Sequence, residues 1–306
     1  MFSGKITNVK AIKVGQLECE QAKTGVTVIL CENDGAVVSV DVRGAAPGTR
    51  ETDLCTPENT VQKANAIVLS GGSAYGLDTA SGVMKYLEEN KKGVKIGNQI
   101  IPIVPAAVIF DLLVGDGNIR PNAEMGYKAC QNASKDVKQG AFGAGCGATV
   151  GKIIPDVTPQ QSGVGTASIT LPNGVTIGAI VVVNACGDIY HPKTGELLAG
   201  GKDSTGKIVP FEKQLLDSVK INSVSGMNTT IAVVATDAKC NKTQVKRMCV
   251  SAHDGYARAI RPVHTQMDGD TIFGLATCEV EAEISDFQLQ ALSSEVVSLA
   301  IANVFL

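Results

Sequence analysis

The chain has no tryptophan, and aromatic residues make up only 4% of its 306 positions. Its formal net charge is −3, and acidic and basic residues are interspersed without a basic stripe. Surfaces that bind nucleic acid combine clustered positive charge with stacking aromatic rings, so we expect no nucleic-acid partner. No apolar run reaches the ~18 residues of a membrane span, and residues 1–7 do not resemble a signal peptide. We therefore expect a cytoplasmic protein without a membrane segment.

Residues that bind metals are also few or scattered. The three histidines, His191, His253 and His264, do not stand at the spacing of metal ligands, and the nine cysteines form no C-x-x-C pair. This pattern predicts no metal and no cofactor. We expect most of the cysteines to be buried thiols of a reducing compartment. A Ser-His-Asp triad could arise only if the fold brings distant residues together.

Hydrophobic residues are plentiful, at 44% of the chain, so a large core can be buried. The length permits one large domain or two ordinary ones. Strand and helix patterns alternate, which favours a layered α+β fold. Turn residues between apolar runs predict two hairpins. The expected hairpins are 25–31 with 36–42 and 168–171 with 175–183; other expected strands are 66–70, 229–236 and 271–278, and expected helices are 74–89, 123–133, 243–259 and 287–304.

Residues 193–220 are largely polar and contain two adjacent glycines and several lysines. This composition is typical of an exposed, mobile connection. The connection ends shortly before Asn228 and divides the sequence. It need not divide the fold, because the segment after it supplies strand patterns to the core.

Thr229 follows Asn228 at the start of an apolar run. If the peptide bond between them were cut, Thr229 would carry a free α-amine, whose ordinary pKa is about 7.7–8.0. One residue would then supply both a nucleophilic hydroxyl and a general base. The alternative is an ordinary strand that begins with two threonines, since threonine is a good strand former.

Four more polar residues have both an ordinary and a catalytic interpretation. Lys152 follows a glycine-rich stretch; it is either solvated or held so that it stabilises an oxyanion or lowers a neighbouring pKa. Asn184 ends an apolar run and either satisfies a turn or donates its NH₂ to an oxyanion. Asp268 and Asp270 form either a solvated Asp-Gly turn or a pair that orients a nucleophile. The residues that follow them do not fit a calcium loop.

Taken together, these sites match a known family. The chain resembles the P1 peptidases, autoprocessed N-terminal-nucleophile hydrolases that include L-aminopeptidase D-esterase/amidase, β-peptidyl aminopeptidases and the 6-aminohexanoate-oligomer (nylon oligomer) endohydrolase. The resemblance covers nearly the whole chain. It is carried by six strings in order, at residues 40–53, 69–78, 143–152, 181–184, 228–231 and 264–273.

The resemblance implies an αββα sandwich in one domain, residues 1–306, cut after Asn228 into fragments 1–228 and 229–306 that stay associated. It implies that Thr229 is the nucleophile and that Asn184 is the oxyanion-hole residue. Lys152, Asp268 and Asp270 match site residues of the nylon-oligomer branch rather than the aminopeptidase branch. Implied substrates are small peptides, amino-acid amides or 6-aminohexanoate oligomers, and a homo-oligomer such as a tetramer of αβ units is expected.

We expect Phe110 and Tyr75 to contact the substrate. Phe110 stands where the nylon-oligomer branch has a tyrosine, so one hydroxyl is missing and substrate preference is expected to differ. The nearest rival function is acetyl transfer, because the ornithine acetyltransferase family is similar in fold and has a threonine the same distance before a Thr-Asp pair, here Thr236 and Asp237. Those chains are longer and hold the nucleophile in a different context. A scaffold without activity is the remaining alternative.

Overall fold

The computed structural model describes residues 1–152, 157–217 and 228–306. In chain order its strands are β1 (Ile12–Cys19), β2 (Thr24–Cys31), β3 (Ala36–Val42), β4 (Thr49–Arg50), β5 (Lys63–Ala64), β6 (Ala66–Ser70), β7 (Val94–Ile96), β8 (Gln99–Ile101), β9 (Ala106–Val108), β10 (Thr149–Val150), β11 (Gln160–Gln161), β12 (Gly163–Thr170), β13 (Thr176–Val183), β14 (Asp188–Tyr190), β15 (Leu197–Ala199), β16 (Ile231–Ala238), β17 (Ile260–Arg261) and β18 (Thr271–Val280). The α-helices are α1 (Thr79–Glu89), α2 (Ala123–Gln131), α3 (Phe211–Asp217), α4 (Lys242–Ala259) and α5 (Asp286–Asn303).

Two large mixed sheets form the centre of the fold. Sheet I has the strand order β1-β2-β6-β9-β4, and sheet II has the order β12-β13-β16-β18-β3-β5. Each sheet contains one parallel pair, β6 with β9 and β16 with β18, among antiparallel neighbours.

The sheets pack face to face between two helical layers. Side chains such as Ile29, Leu69 and Phe273 fill the space between the sheets. Helices α1 and α2 cover the outer face of sheet I, and α4 and α5 cover the outer face of sheet II. The predicted αββα sandwich is confirmed. Both faces of each sheet are covered, which is why β13 is buried at every position and consists almost entirely of apolar residues.

Side-chain caps begin the two long helices. The side chain of Asn241 accepts from the amide of Gln244 at the start of α4, and that of Ser285 accepts from the amide of Gln288 at the start of α5. In both cases the side chain of the glutamine accepts in turn from the main-chain amide of the capping residue. The predicted helices 243–259 and 287–304 are confirmed to within one residue at each end. No helix in the three described ranges is long and apolar enough to cross a membrane.

One of the two predicted hairpins is wrong. β2 lies in sheet I, where it pairs with β1 and β6, whereas β3 lies in sheet II beside β18. The turn between them, with Asn33 and Gly35 at positive φ, carries the chain from one sheet to the other. Turn residues predict a change of direction and do not specify the pairing partner. The second hairpin, β12 with β13, is confirmed.

The connection at 193–220 is more ordered than predicted. It contains β15, which pairs with β14, and the helix α3. Gly200 and Gly201 are buried, so this part of the chain is not a solvated loop. Residues 218–220 lie outside the described residues. All nine cysteines are free thiols and seven are buried, as expected.

Candidate active site

Three strand ends of sheet II meet at one edge. β16 and β18 run parallel and start in register, Ile231 opposite Thr271. The antiparallel strand β13 ends at the same edge, with Val182 opposite Ile231. The residues just outside these ends are therefore neighbours, although they are far apart in sequence. They are Asn184, Asn228–Thr230 and Asp268–Asp270.

Thr229 is buried, with 3% of its surface exposed. Its amide donates to the main-chain oxygen of Asn184 at 2.9 Å. Its Oγ1 donates to the carbonyl oxygen of Asn228 at 2.6 Å. The hydroxyl thus lies beside the peptide that joins Asn228 to Thr229, in a place where water is largely excluded.

Lys152 contacts the same residue as Thr229. Its Nζ donates to the main-chain oxygen of Asn184 at 3.0 Å and to Oδ1 of Asn184 at 2.7 Å. Burial lowers the pKa of Lys152 from 10.5 to about 7, although Cys186 and the carboxylates of Asp268 and Asp111 act in the opposite direction. Near neutral pH the amine is therefore present in both its charged and its neutral form.

Gly151 explains how the chain brings Lys152 so close. It has a φ of +71°, and a Cβ at this position would lie 1.9 Å from the amide nitrogen of Gly201. Only glycine permits this conformation and this approach. The next amide, of Lys152, donates to the carbonyl of Cys186 at 2.9 Å and fixes the lysine beside the end of β13.

The carboxamide of Asn184 has a defined orientation. Its Oδ1 accepts from the amide of Thr149 at 3.1 Å as well as from Lys152. Since both contacts require an acceptor, the NH₂ group must occupy the other position. Nδ2 makes a long bond of 3.4 Å to the carbonyl of Phe110, at the end of sheet I. Asn184 therefore presents a donor in the space between the two sheets.

The two aspartates accept from main-chain amides, one directly after Thr229 and one in the segment that leads to β18. Oδ1 of Asp270 accepts from the amide of Thr230 at 2.8 Å, and Oδ2 of Asp268 accepts from the amide of Thr265 at 2.7 Å. Both carboxylates are almost fully buried. Burial, and then the charge of Asp270, raises the pKa of Asp268 to about 6. The structure thus brings together all five residues predicted for catalysis.

The sequence did not predict two neighbours of this pair. Both the main-chain amide and Nδ1 of His264 contact Oδ2 of Asp270, at 3.1 and 2.8 Å, while His264 adopts a φ of +58°. The thiol of Cys186 lies against Asp268; burial and that carboxylate raise the pKa of Cys186 to about 12, so it remains protonated. His264 belongs to a string that carries the family resemblance, but no spacing rule predicts its contact with Asp270.

Phe110 and Tyr75, predicted to contact the substrate, follow the ends of two neighbouring strands of sheet I. The carbonyl of Phe110 accepts from Asn184, so Phe110 borders the site. Tyr75 is 58% exposed, and the guanidinium of Arg120 lies 3.7 Å from the centre of its ring. Contact of either residue with substrate remains a prediction.

Residues 4–305 match the model of peptidase family S58, and the chain belongs to this family. It is 46% identical over 288 residues to an uncharacterized aminopeptidase of Mycobacterium tuberculosis, covering 89% of this chain and 81% of that one. It is 31% identical over 276 residues to a 6-aminohexanoate-oligomer endohydrolase of Paenarthrobacter ureafaciens, covering 88% and 74%. The protein is thus a hydrolase of peptide or amide bonds.

Two solved structures share the fold. One is the L-aminopeptidase D-Ala-esterase/amidase of Ochrobactrum anthropi, described as a variant of the Ntn hydrolase fold. It has a TM-score of 0.72 and 18% identity, with 99% of this chain and 87% of that chain covered. The other is a β-aminopeptidase of Burkholderia sp., with a TM-score of 0.71, 20% identity and 98% and 85% coverage. At these identities the likeness extends to the fold alone.

The first prediction concerns the bond from His264 to Asp270. His264→Gly removes the Nδ1 donor without straining the left-handed backbone, and we expect amide hydrolysis to slow about ten- to hundredfold, the range for a lost bond to a charged group. His264→Asn keeps an N–H donor and also tolerates positive φ, so it should retain most of the rate. Steady-state kcat and KM on an aminoacyl p-nitroanilide measure the effect, and thermal unfolding checks the fold. Equal rates for the two variants would contradict the assigned role.

The second prediction concerns stability and Lys152. Since its pKa is about 7 in the folded protein and 10.5 ordinarily, the unfolded chain binds more protons between these values. The cost of burying the lysine is therefore greatest at and below pH 7 and disappears as pH approaches 10.5. The free energy of unfolding of Lys152→Met minus that of the unchanged protein should fall over this window. Urea unfolding at several pH values measures it, with Lys95→Met, an exposed position, as control. A flat difference would show that burial does not lower this pKa.

Proposed function

We propose that this protein is an autoprocessed N-terminal threonine hydrolase. It cuts itself between Asn228 and Thr229, and the fragments 1–228 and 229–306 remain one domain. It then hydrolyses amide bonds through an acyl-enzyme on Thr229. The observation that carries the proposal is that the nitrogen of Thr229 and Nζ of Lys152 both lie within hydrogen-bond distance of one oxygen, the main-chain carbonyl of Asn184.

This shared oxygen explains how the new amine becomes a base. Once the chain is cut, the Thr229 nitrogen is an α-amine, whose ordinary pKa of about 7.7–8.0 already lies close to neutrality. Near neutral pH, where Lys152 is partly charged, its positive charge disfavours a second one and lowers this pKa. A larger share of the amine is then unprotonated and can take the proton from its own hydroxyl.

Turnover follows from these groups. Oγ of Thr229 attacks the amide carbonyl of the substrate, and its proton passes to the α-amine. Nδ2 of Asn184 donates to the developing oxyanion, an effect worth about 3–4 kcal/mol in comparable sites. The α-amine then protonates the leaving nitrogen, and the acyl group remains on Oγ. Water, deprotonated by the same amine, releases the acid. Asp270 holds the backbone directly after Thr229, and Asp268 holds the segment that leads to Asp270 by accepting from Thr265.

The charges around the site favour a substrate with a free amine. Asp111, Asp268 and Asp270 are buried carboxylates at or near the site, and a cationic amine would reduce their mutual repulsion. Small peptides, amino-acid amides and 6-aminohexanoate oligomers all provide such an amine. Two relatives, named an aminopeptidase and a 6-aminohexanoate-oligomer endohydrolase, fit this substrate class. We further propose a cytoplasmic homo-oligomer of αβ units, such as a tetramer.

The third prediction tests self-cleavage. Mass spectrometry of the purified protein should show a fragment that begins at Thr229. Thr229→Ala removes the attacking hydroxyl and should leave the chain whole. Thr230→Val alters the neighbouring buried threonine with little change in shape, and this control should still be cut. An intact protein that is fully active, or a Thr229→Ala protein that is cut at the same bond, would refute the proposal.

The fourth prediction tests the substrate class. Processed enzyme is incubated with aminoacyl p-nitroanilides, dipeptides and 6-aminohexanoate oligomers, and each with its amine acetylated. We expect the free-amine compounds to react and the acetylated ones to lose at least tenfold in kcat/KM, which corresponds to about 1.4 kcal/mol. Mass spectrometry of quenched reactions should find the acyl group on the 229–306 fragment. Equal rates with and without the amine would contradict the electrostatic argument for the substrate.

A further inference from the structure

The carbonyl oxygen of Asn228 has a second donor besides the Thr229 hydroxyl. The amide N–H of Gly269 donates to it at 2.9 Å. Asn228 and Asp268 form an isolated parallel bridge, which aligns the two segments. These two donors polarise the C=O bond of Asn228, and this is the carbonyl that is attacked in the proposed self-cleavage.

The Gly269 amide is held rigidly in this position. A neighbouring loop binds the carbonyl of the same peptide unit and the carbonyl of Asp270 that follows. The amide of Ala46 donates to the carbonyl of Asp268 at 2.9 Å, and the amides of Arg43 and Gly44 donate to the carbonyl of Asp270 at 3.0 and 3.2 Å. A donor fixed in advance stabilises a developing charge without reorganising during the reaction.

The space around Gly269 is too small for any side chain. A Cβ at this position would lie 2.8 Å from Oγ1 of Thr229 and 2.7 Å from the carbonyl oxygen of Ala46. The nucleophile and the loop therefore occupy the volume that a larger residue would need. The absence of a side chain lets the Gly269 amide approach the same carbonyl that Thr229 approaches.

The peptide between Asn228 and Thr229 is held from opposite sides. In a trans peptide the C=O and N–H groups point in opposite directions. Asn184 accepts from the N–H side through its main-chain oxygen, and Gly269 donates to the C=O side. The side-chain nitrogen of Asn184 is directed instead to the carbonyl of Phe110. The N–H of Gly269 and Nδ2 of Asn184 thus point at different carbonyl groups, those of Asn228 and Phe110.

We propose that the amide of Gly269 is the oxyanion donor of the self-cleavage step, and that it is distinct from Asn184, which serves substrate turnover. This inference rests on the proposed cleavage after Asn228. Oγ of Thr229 forms a bond to the carbonyl carbon of Asn228, and the oxygen of that carbonyl takes up negative charge beside Gly269. The C–N bond then breaks, and the hydroxyl proton ends on the nitrogen of Thr229. Water hydrolyses the resulting ester, giving the Asn228 carboxylate and restoring the hydroxyl.

A test is to remove this single N–H. Cys249 allows a recombinant thioester, residues 1–248, to be ligated to a synthetic segment 249–306 that carries an ester in place of the Gly269 amide. We expect self-cleavage after refolding to be about 10²–10³-fold slower than in the all-amide ligation product. An ester at Phe305, whose amide donates to Ala302 at the end of α5, is the matched control for the loss of one backbone bond. It should cleave at the all-amide rate.

Equal cleavage rates for the Gly269 and Phe305 esters would overturn this inference and leave the proposed function intact. An all-amide product that folds and is not cut before Thr229 would refute the proposed function itself. Rates are compared only for proteins whose near-ultraviolet circular dichroism matches that of the all-amide product.

A second measurement does not require the ester to fold. A single ¹⁵N label at Gly269 in the all-amide segment, ligated to a Thr229→Ala thioester, reports hydrogen exchange in an uncut precursor. A bond to Asn228 should protect this amide strongly. Exchange as fast as in an unstructured peptide would show that the bond is absent and would overturn the inference.

Discussion

The site depends on one buried acceptor, the main-chain carbonyl of Asn184. It accepts from the Thr229 nitrogen and from Nζ of Lys152, and so fixes the distance between these two nitrogens, which in the proposed function are the catalytic amine and the group that controls its charge. The bond from Thr229 continues the antiparallel register in which Val182 lies opposite Ile231 at the ends of β13 and β16. The strand ends thus place a main-chain carbonyl where it organises polar groups in an otherwise apolar sandwich.

Burial gives these groups their chemical properties. Exclusion of water lowers the pKa of Lys152 to about 7 and raises the pKa of Asp268 to about 6. The charged form of each group is therefore disfavoured, and both groups can exchange protons close to neutral pH. In a solvated turn, Asp268 and Asp270 would be ordinary surface carboxylates. The packing around the strand ends is thus part of the chemistry, because it excludes the water that would screen the site.

Sequence reasoning was strongest where the signal is local. The helix patterns predicted at 243–259 and 287–304 match α4 and α5 to within one residue at each end, and the turn between two apolar runs predicted the hairpin of β12 with β13. It failed where pairing is decided at long range, since β2 and β3 belong to different sheets. The same limit applies to the site. Side-chain type suggested Thr229 and Lys152, whereas His264 acts through a contact that no periodicity predicts.

The sequence by itself determined the order of the elements, the residues able to carry out the chemistry and, through its six matching strings, the family. The tertiary structure alone decided which atoms meet. The parallel start of β16 and β18 places the amide of Gly269 within hydrogen-bond distance of the carbonyl of Asn228. A sequence motif does not reveal such a backbone donor, apart from the glycine that makes the close approach possible. The chemistry of each side chain follows from the residue type, but backbone hydrogen bonds between distant segments form only when the sheet has folded.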